Sequence, residues 1–333
     1  MSASGEFIRR ESTFRDTVHR ADAAPGRYHL YVSLACPWSH RAVIARRLKR
    51  LEAAISISYA HPYRDRRGWA FPGGEFSDTA EGFDFLHAAY AATDAAYDAR
   101  VSVPVLWDRH ERRIVNNESG DIVRIFDELG DDDVDLYPEP LRPEIDALNE
   151  LLYENLNNGV YRAGFARSQE AYEGAYRDVF RTLRELERRL ATRRYLTGER
   201  IIESDWRLFV TLVRFDAVYH THFRLNGARV VDYPNLWGYT RDLYQQPGIA
   251  DTVALDQIKR HYYTTHDNLN PTHVIPLGPE QLDFAAQHAR DRLSGAEAMH
   301  QNGDRGGASE PLEAERDCAV ADDRRAAESG RDA

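Results

Sequence analysis

Apolar and polar positions alternate from Tyr28 to Ser33, which predicts a strand. From Pro37 to about Leu51 the apolar residues Val43, Ile44 and Leu48 recur at helical spacing. Ile55 to Tyr59 reads as a second strand and completes a βαβ unit. An irregular stretch follows from Pro62 to about Thr79, rich in Gly, Arg and aromatic residues, and leads into a helical segment near Ala88 to Tyr97. Val103 to Trp107, a charged turn from Asp108 to Arg112, and Ile114-Val115 carry a hairpin signal. Asn116 to Asp121 then opens a helix that ends near Leu129. Strand, helix, strand, insertion, strand, strand, helix is the order of a thioredoxin fold.

Beyond this point the period changes. The polar run DDDVDLYPEPLRP reads as a solvated linker, and from Glu144 to about Asp256 nearly all the signal is helical, with breaks at Gly198 and near Pro234 and Pro247. An Arg/Glu-laced helix is expected over about Glu170 to Leu190, and an apolar core helix over Asp205 to Tyr219. The chain therefore divides into an N-terminal arm (1–25), an α/β thioredoxin-like domain (26–130), a linker (131–143), an all-α domain (144–280) and an acidic tail (281–333). The tail has too few large apolar residues to order itself.

Composition narrows the function classes. A length of 333 residues suffices for two packed domains, and the net charge of -11 argues against nucleic acid and anionic membrane surfaces as partners. No run approaches the ~18 apolar residues of a membrane span, and the N-terminus lacks the apolar core of a signal peptide, so the expected location is the cytoplasm. Among 43 basic residues only Lys49 and Lys259 are lysines, a bias that fits a GC-rich genome, a salt-adapted proteome, or both. The two cysteines, Cys36 and Cys318, are far apart and form neither a disulfide framework nor a zinc pattern.

Cys36 sits at a strand-to-helix junction just before Pro37. Proline suits the first helical position because its missing N–H would be unpaired there. At a helix N-terminus, unpaired N–H groups and the positive dipole end favour a thiolate. The working expectation is a reactive monothiol; the plainer one is a small buried apolar residue. Val103-Pro104 at a strand start fits the cis-proline that exposes backbone to a peptide ligand, or an ordinary strand-start proline. Glu118-Ser119 at a helix start can hold the amino and carboxylate ends of a γ-glutamyl group, cap the helix, or do both. His40, one turn after Cys36, can sit near the thiolate, or be a solvated or backbone-bonded histidine. His220 and His222 do not have the spacing of a metal site, and no phosphate loop, Rossmann fingerprint or serine-histidine-acid elbow is present.

Seven stretches in order, YVSLACPWSHR, the GW at 68–69, VSVPVLWD, IVNNES, NNGVYRAGFA, RLFVTLVRFDAVYHTHF and the HYY…NP…IPLGP ending, resemble the glutathionyl-hydroquinone reductases, the xi class of glutathione transferases. The resemblance runs from about Arg27 to Pro279. It implies Cys36 as nucleophile and Trp69, Val103, Pro104, Glu118 and Ser119 as holders of glutathione or the shorter γ-glutamylcysteine. It further implies Tyr161, Tyr219 and Tyr262 in the aromatic pocket, with Tyr263 as the alternative to Tyr262. A phenol suits that role, since its hydroxyl donates or accepts while its ring packs on the substrate. The implied reaction frees a hydroquinone from its thiol conjugate through a mixed disulfide on Cys36, without a metal, in a homodimer. A serine-type transferase and a non-catalytic adaptor of the same fold are the competing readings. Two departures stand out: Ser39 where the family usually has alanine or cysteine, and Ile202 at the capping position of a helix that usually starts Ser/Thr-x-x-Asp, with Ser204 as its stand-in.

Overall fold

In the computed structural model, residues 4–280 and 282–293 are described. Strands β1 (Tyr28–Val32), β2 (Ile55–Tyr59), β3 (Val105–Asp108) and β4 (Arg113–Asn116) form one sheet in the order β2-β1-β3-β4. β1 runs parallel to β2, with Leu30 opposite Ile57, and antiparallel to β3, with Leu30 opposite Leu106. Every residue of β1 is buried, so its alternation separates two apolar faces rather than core from solvent. Leu30, Val32 and Leu106 face the core shared with α1 (Pro37–Leu48) and α3 (Ser119–Leu129). Tyr31, Val105 and Trp107 face a second core with Phe71, Leu86 and Tyr90. Aromatics of the irregular insertion thus cover the sheet face that lacks a long helix. The helix within this region, α2 (His87–Thr93), stops before Tyr97 because Asp94 turns extended and its carboxylate accepts from the Ala96 N–H at 2.9 Å.

The all-α domain comprises α4 (Arg142–Leu152), α5 (Gly159–Gly164), α6 (Gln169–Arg189), α7 (Glu203–Arg214), the short α8 (His220–His222), α9 (Pro234–Tyr244) and α10 (Leu255–Thr265). The helix expected to continue to Tyr219 instead changes hydrogen-bond pattern: a π-helical turn over Phe215–Tyr219 separates α7 from α8. A second π turn, Tyr153–Asn157, joins α4 to α5. Such turns shift side chains around the helix axis and recur at functional sites.

Three further expectations are corrected. The linker is not simply solvated: Leu136 is buried, Lys49 donates to the Val134 carbonyl, and α4 already begins at Arg142. Within residues 282–293, assigned to the tail, two side chains are buried, Phe284 and Arg290. Phe284 stacks on Tyr244 at 5.1 Å, and buried Arg290 donates to the carbonyls of Leu190 and Arg194, each at 2.9 Å. One aromatic ring and one guanidinium thus supply the contacts that composition failed to suggest. The remainder of the tail, with Cys318, lies outside the described residues. Ser204 does not replace the missing cap; its hydroxyl donates to Asn149 Oδ1 at 2.8 Å.

The start of α7 is held from the other side. Asp205 accepts from the N–H groups of Ile202 (2.9 Å) and Leu196 (3.0 Å) and from the Tyr239 hydroxyl (2.7 Å). Burial raises this carboxyl to about 6 despite those bonds. Asp205→Ala leaves these buried donors unpaired and is expected to cost about 3 kcal/mol, read as a lower urea midpoint at unchanged slope.

Candidate active site

Cys36 is the N-cap of α1, with Pro37 at the first helical position. Its Sγ lies 3.7 Å from the carbonyl oxygen of Val103, and the Val103–Pro104 peptide is cis. The loop leading to the thiol is fixed from the all-α domain. Arg214, fully buried on α7, donates to the carbonyls of Leu34 (2.9 Å) and Ala35 (3.2 Å). The same guanidinium donates to His40 Nδ1 at 3.0 Å, while His40 Nε2 reaches the Thr252 hydroxyl at 2.8 Å. Both nitrogens of His40 are therefore engaged in fastening the domains together. Burial and Arg214 hold its imidazole well below the usual histidine range, as a neutral ring.

Two cavities meet at Cys36, Trp38, Trp69, Arg9 and Arg100. The first, of about 740 Å³, is lined by Val103, Pro104, Glu118 and Ser119. Glu118 is the N-cap of α3: its carboxylate accepts from the Gly120 N–H at 3.2 Å and from the Ser12 hydroxyl at 2.9 Å. The cap and the cavity wall are the same residue. Ser119 lies beside Arg41, whose guanidinium donates to Asn157 Oδ1 at 2.6 Å and packs 4.5 Å over Trp38.

The second cavity, of about 800 Å³, is walled by Tyr161 of α5 and Tyr262 of α10. Their hydroxyls are 2.5 Å apart, and the Tyr219 hydroxyl is 3.2 Å from that of Tyr262. The tyrosines expected from the sequence thus converge, but not as equals. Tyr219 is not on the wall; it stands behind Tyr262 and reaches the cavity through it. Tyr263 points elsewhere, toward the Ala217 carbonyl at 3.4 Å. Burial raises all three clustered phenols above their usual range, and Arg214 opposes that rise.

Several wall residues gave no signal in the sequence. Phe7, Ile8 and Arg9 of the N-terminal arm close one side, with the Arg9 guanidinium 4.7 Å from the Trp38 ring and 4.8 Å from that of Tyr161. The arm reaches this place by pairing Arg15 with Asn116 at the free edge of β4, a contact without any local periodicity. His261 is also on the wall, stacked 5.1 Å from Trp69 with Nδ1 2.7 Å from the Pro62 carbonyl. That bond makes Nδ1 the donor, and burial holds the ring neutral, with its pKa lowered to about 4. Among the described residues no group of three or more His, Cys, Asp or Glu is arranged to hold a metal.

A four-stranded thioredoxin-like domain carrying a cysteine at a helix start, beside an all-α domain, defines the class of glutathione transferases. Residues 35–129 match the glutathione S-transferase N-terminal domain family, and residues 169–242 the C-terminal domain family. Glutathionyl-hydroquinone reductase PcpF of Sphingobium chlorophenolicum is 48% identical over 84% of this chain and 92% of its own length. Glutathionyl-hydroquinone reductase YqjG of Escherichia coli K12 is 48% identical over 87% of this chain and 94% of its own length. The glutathione-bound structure of YqjG superposes with a TM-score of 0.81 at 47% identity, covering 84% of this chain and 96% of that one. The chain belongs to the glutathionyl-hydroquinone reductase family, the xi class of glutathione S-transferases.

The buried histidines predict the acid limit of the fold. His222, whose Nε2 lies 3.0 Å from His266 Nδ1, and His261 are both lowered from 6.5 to about 4 in the folded chain, chiefly by burial. Between those values the unfolded chain binds protons that the native one refuses. Stability therefore falls as pH drops from 6.5 toward 4. A urea series across this window should show that fall, with a shallower slope in His222→Gln.

Proposed function

We propose that the protein reduces glutathionyl-hydroquinones to free hydroquinones at Cys36, as the names of its relatives indicate for them. The observation that carries this reading is the position of the thiol between two unlike cavities. One offers backbone, a carboxylate and a helix start, which suit a γ-glutamyl peptide. The other offers phenols and aromatic faces, which suit a quinol ring.

In the first half-reaction the Cys36 thiolate attacks the thioether sulfur of the conjugate. A sulfur–sulfur bond forms as the sulfur–carbon bond breaks, and the electron pair of the latter moves to the ring carbon. That carbon takes a proton from the Tyr161–Tyr262 pair and leaves as hydroquinone. Tyr219 acts through Tyr262, holding its hydroxyl. Ser39, buried one turn on, cannot form an internal disulfide, and Cys36 is the free cysteine among the described residues, so an external thiol resolves the mixed disulfide. Glutathione and γ-glutamylcysteine share the group that Glu118 and Ser119 would hold, and either can serve. A cytoplasmic homodimer is the form expected of the working enzyme.

Glutathionyl-menadiol tests the scheme. Cys36→Ser should release no menadiol, whereas a serine-type transferase would keep or gain conjugating activity; a non-catalytic adaptor would form no adduct with glutathione disulfide by mass spectrometry. Tyr262→Phe should slow menadiol release by roughly 10²–10⁴-fold. It should leave mixed-disulfide formation from glutathione disulfide intact, because that step protonates no carbon. Equal loss in both assays would remove the tyrosine from the acid role.

A further inference from the structure

The two cavities differ in charge as well as shape. The one beside Glu118 is mixed: carboxylates of Glu11, Glu118, Asp121 and Asp146 share its wall with Arg9, Arg10, Arg15, Arg100, Arg124 and Arg207, of which Arg15 and Arg124 are ion-paired with Asp121 and Asp146. The tyrosine cavity shares Arg9 and Arg100 with it and adds Arg64, Arg167 and Arg224, against a single carboxylate, Asp267, which is 2.8 Å from His273. None of these five arginines has a carboxylate partner among the described residues. Arg9 donates to Asn158 Oδ1 and Arg224 to the Gly164 carbonyl, while Arg64 packs 5.8 Å from the centre of the Trp69 ring. Arg64 and Arg100 line the same cavity as Cys36. In a chain of net charge -11, this is a locally cationic chamber opening onto the thiol.

A neutral quinol ring explains the phenols and aromatic faces of the chamber and leaves Arg64 and Arg167, which line this cavity and not the other, without a counterpart. We propose that the same chamber, once the hydroquinone has left, binds the second thiol as an anionic γ-glutamyl peptide, with Arg64 and Arg167 drawing in its carboxylates. This rests on the two-step reading above. When the first peptide is disulfide-bonded to Cys36, it fills the cavity beside Glu118 and leaves the arginine-lined chamber as the approach to its sulfur. The incoming thiol loses its proton to solvent, and its thiolate attacks the peptide sulfur of the mixed disulfide. A new sulfur–sulfur bond joins the two peptides, the bond to Cys36 breaks, and its electron pair returns to Cys36 as thiolate. The mixed disulfide is reduced and the incoming thiol is oxidised, so no further redox partner is needed. A positive field favours this step because the attacking thiolate adds to the negative charge of the peptide carboxylates.

The test uses the mixed disulfide made directly from glutathione disulfide, so that resolution is measured whether or not a conjugate is turned over. Its release from Cys36 is followed by quenched-flow mass spectrometry with glutathione and with glutathione diethyl ester. Glutathione should react faster than the ester in the native protein, and the advantage should shrink as salt rises. In the Arg64→Gln/Arg167→Gln double variant the rate constant for glutathione should fall roughly 10-fold, with that for the ester little changed. Equal rates for the two thiols in the native protein, or an undiminished preference in the double variant, overturns the proposal. Slowed menadiol release with unaffected resolution also overturns it, by assigning the arginines to the first substrate. A conjugate that is never cleaved, beside a mixed disulfide that still resolves with the expected preference, would instead refute the proposed overall reaction and leave the thiol site standing.

Discussion

The site depends on one buried cation. Arg214 lies inside the interface of the two domains and has no carboxylate within bonding distance among the described residues; its donors go to the carbonyls of Leu34, Ala35 and Val210 and to His40. A buried charge is costly unless its donors are satisfied. Here they are satisfied largely by the backbone just ahead of Cys36. The position of the thiol is therefore set by the all-α domain as much as by the strand and helix that flank it. The same charge stands behind the tyrosine cluster and opposes the effect of burial on all three phenols. Nucleophile and proposed acid are coupled through a side chain that touches neither the sulfur nor the cavity.

A second constraint is the sheet with both faces covered. Alternate residues of β1 and β3 feed two cores, and the second of these also contains Cys36, Trp69 and Val103. The insertion that carries Trp69 is thus the cover of a sheet face and a wall of the site at once. On the helical side, the π turn before α8 ends at Tyr219, and a short α5 carries Tyr161, so the phenols meet Tyr262 from different helices. The hydroxyl contacts follow from packing among helices; no single helix arranges them.

Much of this protein is legible in local pattern. A period of two followed by helical spacing is a local property, so the βαβ unit, the hairpin and the long α6 could be read from the chain, as could Cys36 before Pro37 at a helix start. Ordered motifs carried the family, and with it the expectation that Tyr161, Tyr219, Glu118 and Ser119 belong to the site. The tertiary structure decided what depends on distant partners. It put Tyr262 rather than Tyr263 on the cavity wall and Tyr219 one layer behind it, because side-chain direction on α10 is set by what the helix packs against. It turned His40 into an interdomain fastening, drew Phe7 and Arg9 over the site by edge pairing at β4, and packed Phe284 and Arg290 against α9 and the end of α6. It also gathered arginines from separate segments into one chamber. Contacts between residues far apart in the chain leave no periodic trace, and only the folded arrangement reveals them.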